Sequence, residues 1–349
     1  VTLDRDRRSA LMTLLDAKIP WNKVCLYFEN SNVPCTEELR VQMEQLGIEY
    51  VSRKRNAAAS DKVPVFTASK DFFVILFQEN FKLFTNMVKA LVSIKPIQLC
   101  NLSDFFQFNA LYAIHYDFYQ QTGIRINFGI EIFHSTDVPK LLALNDLDGI
   151  KICCQLSKFN SPNLVTRGVV SDVYFHFGPD GDDILQKSES IYKSKHYCGY
   201  ISDYAFTNVE ARSQKLRQSL VDNGAQFVLS FFDEAFGNSK YHFVSKSEAT
   251  DVHDALAQMV LDCPGMAVIH KPKRPKLGPD SIKVQQAIST GRYKVITDGQ
   301  YLNDTYPAEV ALASDAVLST LWGGTTGLEC FLVGKPVFYL DLKNLKYYD

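Results

Sequence analysis

Near one end of the chain, Ala313-Ser314-Asp315-Ala316-Val317-Leu318-Ser319-Thr320 leads into Leu321-Trp322-Gly323-Gly324-Thr325-Thr326-Gly327-Leu328-Glu329. After Val333-Gly334-Lys335-Pro336 come Val337-Phe338-Tyr339. An apolar run, a glycine-rich turn, a helix start and a second apolar run read as strand, turn, helix, strand. Units of this kind require a parallel sheet, because the chain must cross back over the sheet before its next strand can pair. The turn and helix start also present backbone N–H groups to an anion, a phosphate above all.

The rest of the chain repeats this alternation in two series. In the first, residues 23–28 read as a strand, 36–46 as a helix stopped by Gly47, and 48–52 as the next strand. Helices follow at 69–93 and 103–122, with short strands at 97–99, 125–129, 149–154 and 171–175. In the second series, helices at 208–222, 247–261, 281–289 and 307–313 alternate with strands at 226–232, 266–270 and 293–297 before the unit described above. Residues 194–206 are aromatic-rich and lack a clear period, so the junction is placed there. The expectation is an α/β protein of two doubly wound, Rossmann-like domains, residues 1–200 and 201–349, facing a cleft, with ligands at the carboxyl ends of the strands. The chain starts without Met and stops at Asp349 just after a predicted strand, so it reads as a piece of something longer, its second domain cut short.

At 349 residues, 46% hydrophobic and 22% charged, each half has enough apolar material for its own core. The net charge of -2 gives no reason to expect a nucleic-acid partner. The eight cysteines form no C-x-x-C pair and sit mostly in apolar segments, which suits a reducing, cytoplasmic setting. Residues 72–91 come nearest to a membrane span, but Glu79, Lys82 and Lys89 interrupt them. The histidines show no H-x-x-x-H spacing, and no metal site is expected.

Candidate chemistry gathers in strand-exit loops. In the first place are Gly323, Gly324, Thr325 and Thr326, whose amides and hydroxyls suit a phosphate, with Glu329 placed in the first helical turn to meet a ribose. The same residues also describe an ordinary tight turn with a threonine N-cap. Next is Ile269-His270-Lys271-Pro272-Lys273-Arg274-Pro275, where Lys271 and Lys273 leave a buried strand on an extended segment and suit a diphosphate or a carboxylate; a solvated cationic loop has the same composition. Asp233 and Glu234 end the first strand of the second domain, and partial burial there would raise a carboxylate toward use as a base or nucleophile. An acidic loop or helix cap is the alternative. In the first domain, Glu131 and His134 follow a strand and are suitable types to serve an acceptor hydroxyl. His115 and Asp117 lie on an apolar helix, where a histidine is more often a satisfied core residue.

In their order, strand-Asp233-Glu234, Ile269-His270-Lys271-Pro272-Lys273-Arg274-Pro275, the run from Ala313 to Thr320, the Gly-Thr-Thr-Gly-x-Glu turn and Gly334-Lys335-Pro336-Val337 resemble the donor-binding half of GT-B-fold glycosyltransferases. The likeness is greatest to bacterial surface-carbohydrate and capsule enzymes, including CDP-glycerol glycerophosphotransferase-like proteins and transferases of 3-deoxy-octulosonic acid (Kdo). It covers residues 195–340 well and is looser before them, where 149–157 and 170–178 carry it. The resemblance implies a nucleotide-activated sugar, CMP- or CDP-linked donors being candidates, held by the second domain over residues 323–326 near Lys271 and Lys273. It implies a glycan or lipid-linked glycan acceptor on the first domain, no cofactor, no metal, and peripheral association with the inner membrane. A UDP-sugar 2-epimerase-like enzyme shares the architecture, and so does a noncatalytic polysaccharide-binding or export component. Retention or inversion at the anomeric carbon stays open, because a carboxylate nucleophile and a carboxylate base are the same side chain.

Overall fold

The computed structural model describes residues 19–28, 37–52, 64–90, 102–130, 137–155, 169–187, 190–237, 244–273, 281–298, 305–321 and 324–342. They fall into two compact units, one reaching Ile201 and the other starting at Ser202. Both are α/β, and every named strand pairing is parallel.

In the first unit β1 (Cys25–Phe28) pairs with β2 (Glu49–Ser52) across α1 (Glu37–Leu46), and Leu39 and Met43 of α1 pack with Ile48. Two long helices follow, α2 (Lys70–Ala90) and α3 (Leu102–Thr122). Phe118 and Tyr119 of α3 share a core with Ala143 and Leu144 of α4 (Asp137–Asn145). A four-stranded sheet runs in sequence order, β3 (Ile126–Ile130), β4 (Ile150–Cys154), β5 (Val170–His176) and β6 (Ile191–Tyr197), with α5 (Asp182–Lys187) before the last strand. β6, α4 and α5 are additions to the pattern read from the sequence. The strand expected at 97–99 lies outside the described residues.

Along α2, Phe73, Phe77, Phe81 and Phe84 are all more than half exposed and recur at helical spacing. Among the described residues, no helix is long and apolar enough to cross a membrane.

The second unit is built on a five-stranded sheet. Its elements are α6 (Glu210–Val221), β7 (Phe227–Phe232), α7 (Lys246–Asp262), β8 (Met266–Lys271), α8 (Ile282–Ser289), β9 (Tyr293–Val295), α9 (Pro307–Leu312), β10 (Ala316–Thr320), α10 (Gly324–Leu332) and β11 (Val337–Leu340). The strand order is β11-β10-β7-β8-β9. The chain steps outward from β7 to β9, then returns to the other flank of β7 for β10. The crevice at the carboxyl ends of β7 and β10 is therefore the topological switch point, where open α/β sheets take their ligands.

Strand side chains alternate between faces, and two core clusters show which residue goes where. Val228 and Phe232 of β7 and Ala267 and Ile269 of β8 pack with Leu216 and Leu220 of α6, Val310 of α9 and Cys330 of α10. Phe231 and Val268, on the opposite face, pack with Leu256, Ala257 and Val260 of α7 and with Val284 and Ala287 of α8. We call these the α10 face and the α7 face. Asp315 ties the start of the sheet together: it accepts from Arg217 of α6 at 2.9 Å and from the Val228 N–H of β7 at 2.8 Å.

Gly327 is required by packing. A Cβ there would lie 2.2 Å from the Tyr339 hydroxyl and 2.6 Å from its Cζ, so glycine lets α10 sit down on β11.

Candidate functional site

Parity along β7 and β8 sorts the chemistry at the switch point. His270 follows Val268 on the α7 face, and Lys271 follows Ile269 on the α10 face. The same alternation carried past the end of β7 puts Asp233 on the side of Phe231 and Glu234 on the side of Phe232. Side-chain contacts agree with that assignment for Asp233 and His270, which meet each other, Phe231 and His253.

On the α7 face, Asp233 and His270 form a hydrogen bond, His270 Nε2 to Asp233 Oδ2, at 2.9 Å. The other oxygen, Oδ1, accepts the Lys273 backbone N–H at 2.7 Å. His253 comes from α7, in register with the Leu256, Ala257 and Val260 stripe, and its Nε2 lies 3.7 Å from Asp233 Oδ2. The imidazole centroids are 4.6 Å apart, Phe231 is 5.3 Å from His270, and Phe236 stands edge-on to His253. Side-chain exposure is 5% for Asp233, 3% for His253 and 0% for His270. Burial pushes the Asp233 carboxyl up, but the nearby imidazoles of His253 and His270 and the Lys273 amide together bring it below the ordinary aspartate value. Burial drives His270 down against the opposing pull of Asp233. The pair is therefore an anionic carboxylate beside a neutral imidazole. Asp233 is enclosed and engaged at both oxygens.

On the α10 face, Glu234 pairs with the Lys273 ammonium, and its Oε1 also accepts the Ala235 N–H at 2.9 Å. The Glu234 side chain is 9% exposed and the Lys273 side chain 47%, so the lysine end of the pair meets solvent. Lys271 is half-buried, strand alternation sets it on the α10 side, and its charge opposes the rise that burial imposes on the Cys330 thiol of α10.

The helix after the glycine-rich turn starts at Gly324, so Gly324, Thr325 and Thr326 lie in its first turn, where backbone N–H groups lack intrahelical acceptors. Trp322 and Gly323 lie outside the described residues. Glu329 was expected in that first turn. Because the helix begins at Gly324 it falls in the second, 2% exposed within the core side, away from a solvent-facing ribose position. Beside this turn, the Thr320 hydroxyl at the end of β10 is buried without a hydrogen-bond partner among the described residues.

Of the first-unit candidates, Glu131 and His134 lie outside the described residues. Asp117 is 1% exposed and accepts the Ser69 N–H at 2.8 Å, the Ser69 hydroxyl and the Gln121 amide, which fixes the start of α2 against α3. His115 is packed between Tyr27 and Tyr119. Both are structural.

No protein-family model matches the sequence. No curated protein matches it either. Among solved structures the chain is similar to MurG of Acinetobacter baumannii, at 9% identity and a TM-score of 0.41, over 92% of this chain and 79% of that one. It is also similar to a putative UDP-N-acetylglucosamine 2-epimerase of Listeria monocytogenes, at 12% identity and a TM-score of 0.43, over 91% of this chain and 79% of that one.

The fold thus brings together Asp233, Glu234, Lys271, Lys273 and the first turn of α10 around the β7 and β10 exits. His253 and His270 were not singled out from the sequence. The signal was present: His253 occupies an apolar-stripe position of an amphipathic helix, and His270 ends an otherwise apolar β-strand run.

Proposed function

We propose that this chain is a glycosyltransferase that takes a nucleotide-activated sugar at the carboxyl edge of the second unit and transfers the sugar to a glycan acceptor in bacterial surface-polysaccharide assembly. The observation that supports the reading is the strand reversal at β7 and β10, because strand alternation directs Lys271 and Glu234 toward the face on which α10 begins. A helix N-terminus and two lysines supply what a diphosphate needs: donors, a favourable dipole and positive charge. Lys273, being half exposed, turns from Glu234 to the phosphate when the donor arrives. That leaves Glu234 as an unpaired carboxylate beside the reacting sugar.

In the transfer step an acceptor hydroxyl oxygen forms the new bond to the anomeric carbon and the bond from that carbon to the phosphate oxygen breaks. The nucleotide leaves with the electron pair, and the hydroxyl proton passes to Glu234. Charge developing on the leaving phosphate is met by Lys271, Lys273 and the α10 amides. Asp233, held between His270 and the Lys273 amide, acts as a positioning residue for the β8 exit. The exposed phenylalanines of α2 support peripheral attachment to a membrane surface, where a lipid-linked acceptor would be found.

Thermal unfolding of the full chain with CMP, CDP, UDP and GDP, each added alone, tests the donor half of the reading. A ligand at a hundredfold its dissociation constant stabilises by about 2.7 kcal/mol, and Lys271→Ala should abolish the shift. Absence of stabilisation by all four nucleotides defeats the proposal. Nucleotide binding without release of nucleotide from a nucleotide-sugar in the presence of glycan acceptors leaves the epimerase-like and polysaccharide-binding alternatives.

A further inference from the structure

Asp233, His253 and His270 are the only cluster of three metal-ligating side chains found among the described residues, with one donor atom from each lying within 4.8 Å of the others. They come from three different elements, the β7 exit, α7 and β8. All are at least nine-tenths buried, and their contacts are incomplete as a hydrogen-bond network. His270 Nε2 reaches Asp233 Oδ2 at 2.9 Å, whereas His253 Nε2 stops at 3.7 Å, beyond hydrogen-bond range. His253 Nε2 and His270 Nδ1 are buried atoms with no hydrogen-bond partner among the described residues. A buried polar atom in that condition is costly to keep, and an imidazole nitrogen aimed at a carboxylate from too far away asks for something between them.

We propose that Asp233, His253 and His270 bind a divalent transition-metal ion, zinc being the one their donor set suits best. Around a tetrahedral zinc ion with bonds near 2.0–2.1 Å, donor atoms lie about 3.3 Å apart, and the observed separations of 2.9 and 3.7 Å bracket that spacing. The Lys273 amide holds Oδ1 and thereby turns Oδ2 toward the imidazoles, the outer contact that orients a ligating carboxylate. The rings of Phe231 and Phe236 enclose the histidines in an apolar shell that strengthens coordination. Two imidazoles and one carboxylate leave a fourth position for water. The ion ties α7 to the β7 and β8 exits, so it sets the position of the Glu234 backbone from the opposite face of the sheet. This inference does not rest on the nucleotide-sugar reading, because its donors lie on the α7 face.

The full chain, stripped with a strong chelator and returned to metal-free buffer, is titrated with zinc against a chromogenic chelator, then with cobalt to record ligand-field absorption in the visible. The expected result is one ion per chain and a cobalt band of the intensity given by four-coordinate sites. His253→Phe keeps the ring volume among its aromatic neighbours while removing the nitrogen. It should weaken zinc at least tenfold while the circular dichroism of the metal-free protein stays unchanged. Asp233→Asn and His270→Gln should do the same. Failure of the wild-type chain to hold one equivalent of zinc or cobalt overturns the proposal, as does binding of equal affinity in the His253→Phe protein. Neither result bears on nucleotide binding, which is read separately.

Discussion

Replacing Glu234 with Gln separates the two jobs assigned to its carboxylate. In the ligand-free protein that carboxylate holds the Lys273 ammonium, and phosphate binding requires the lysine to let go. Pairs exposed at both ends contribute roughly 0–1 kcal/mol, and breaking fully buried ones costs about 3–5 kcal/mol. With side chains 9% and 47% exposed, this pair stands nearer the first limit, and we assign it about 1 kcal/mol. Gln keeps an oxygen for the Ala235 N–H, which the carboxylate accepts at 2.9 Å, so the loop geometry survives. A lysine released in advance makes nucleotide binding tighter by that same free energy, about fivefold in Kd. Turnover moves the other way, because a neutral amide takes no proton, and loss of a general base costs about 10²–10⁴ in rate. Isothermal titration with the nucleotide that stabilises the wild-type chain, together with nucleotide release in the presence of acceptor, reads both effects. Weaker or unchanged nucleotide affinity in Glu234→Gln would refute the lysine hand-over. Unchanged turnover would remove Glu234 from the reaction.

Asp117→Ala strips the Ser69 N–H and hydroxyl and the Gln121 amide of a buried acceptor and should cost about 2–3 kcal/mol at the α2–α3 contact. Hydrogen exchange in the first turn of α2 should accelerate accordingly, and unaltered protection there contradicts the structural role. At the β5 and β6 exits of the first unit, Asp182 is ion-paired with Lys195 at 2.6 Å and accepts a hydrogen bond from the Tyr197 hydroxyl. Burial pushes its carboxyl up, and those two bonds outweigh it, so the folded value lies below the unfolded one of 3.8. A depressed acid contributes stability above its unfolded pKa and loses it as pH falls through the folded value. Asp182→Asn should therefore be less stable than wild type at neutral pH, with the gap closing below pH 3.8 in denaturant titrations; a gap independent of pH is the contrary result.

The second unit was legible because its central strands β7, β8 and β10 are largely buried on both faces and its helices carry clean stops. The expected strand at 226–232 and the observed Phe227–Phe232 differ by a single residue at the start. β6 escaped because it is an edge strand: its Ile191 and Tyr197 are exposed, and Lys193 and Lys195 break any apolar alternation. α5 is too short for a helical period to declare itself. The carboxylates and lysines of the site were legible as strand-exit residues, but which face each one serves was not. That depends on register between strands, which the sequence of one strand does not contain. The histidine pair was missed for a related reason. Local spacing finds ligands one helical turn apart, whereas His253 and His270 meet only because α7 lies over the β7–β8 face.

Adjacent letters of this sequence, 233 beside 234 and 270 beside 271, serve opposite sides of a single sheet. Point substitutions can therefore retune the cationic side and the imidazole side separately. Inserting or deleting one residue within β8 would exchange the occupants of both sides at once, sending Lys271 into the aromatic shell and His270 toward α10. Length in this strand is consequently held under a double constraint, and variation within it should be confined to exchanges that leave the count untouched.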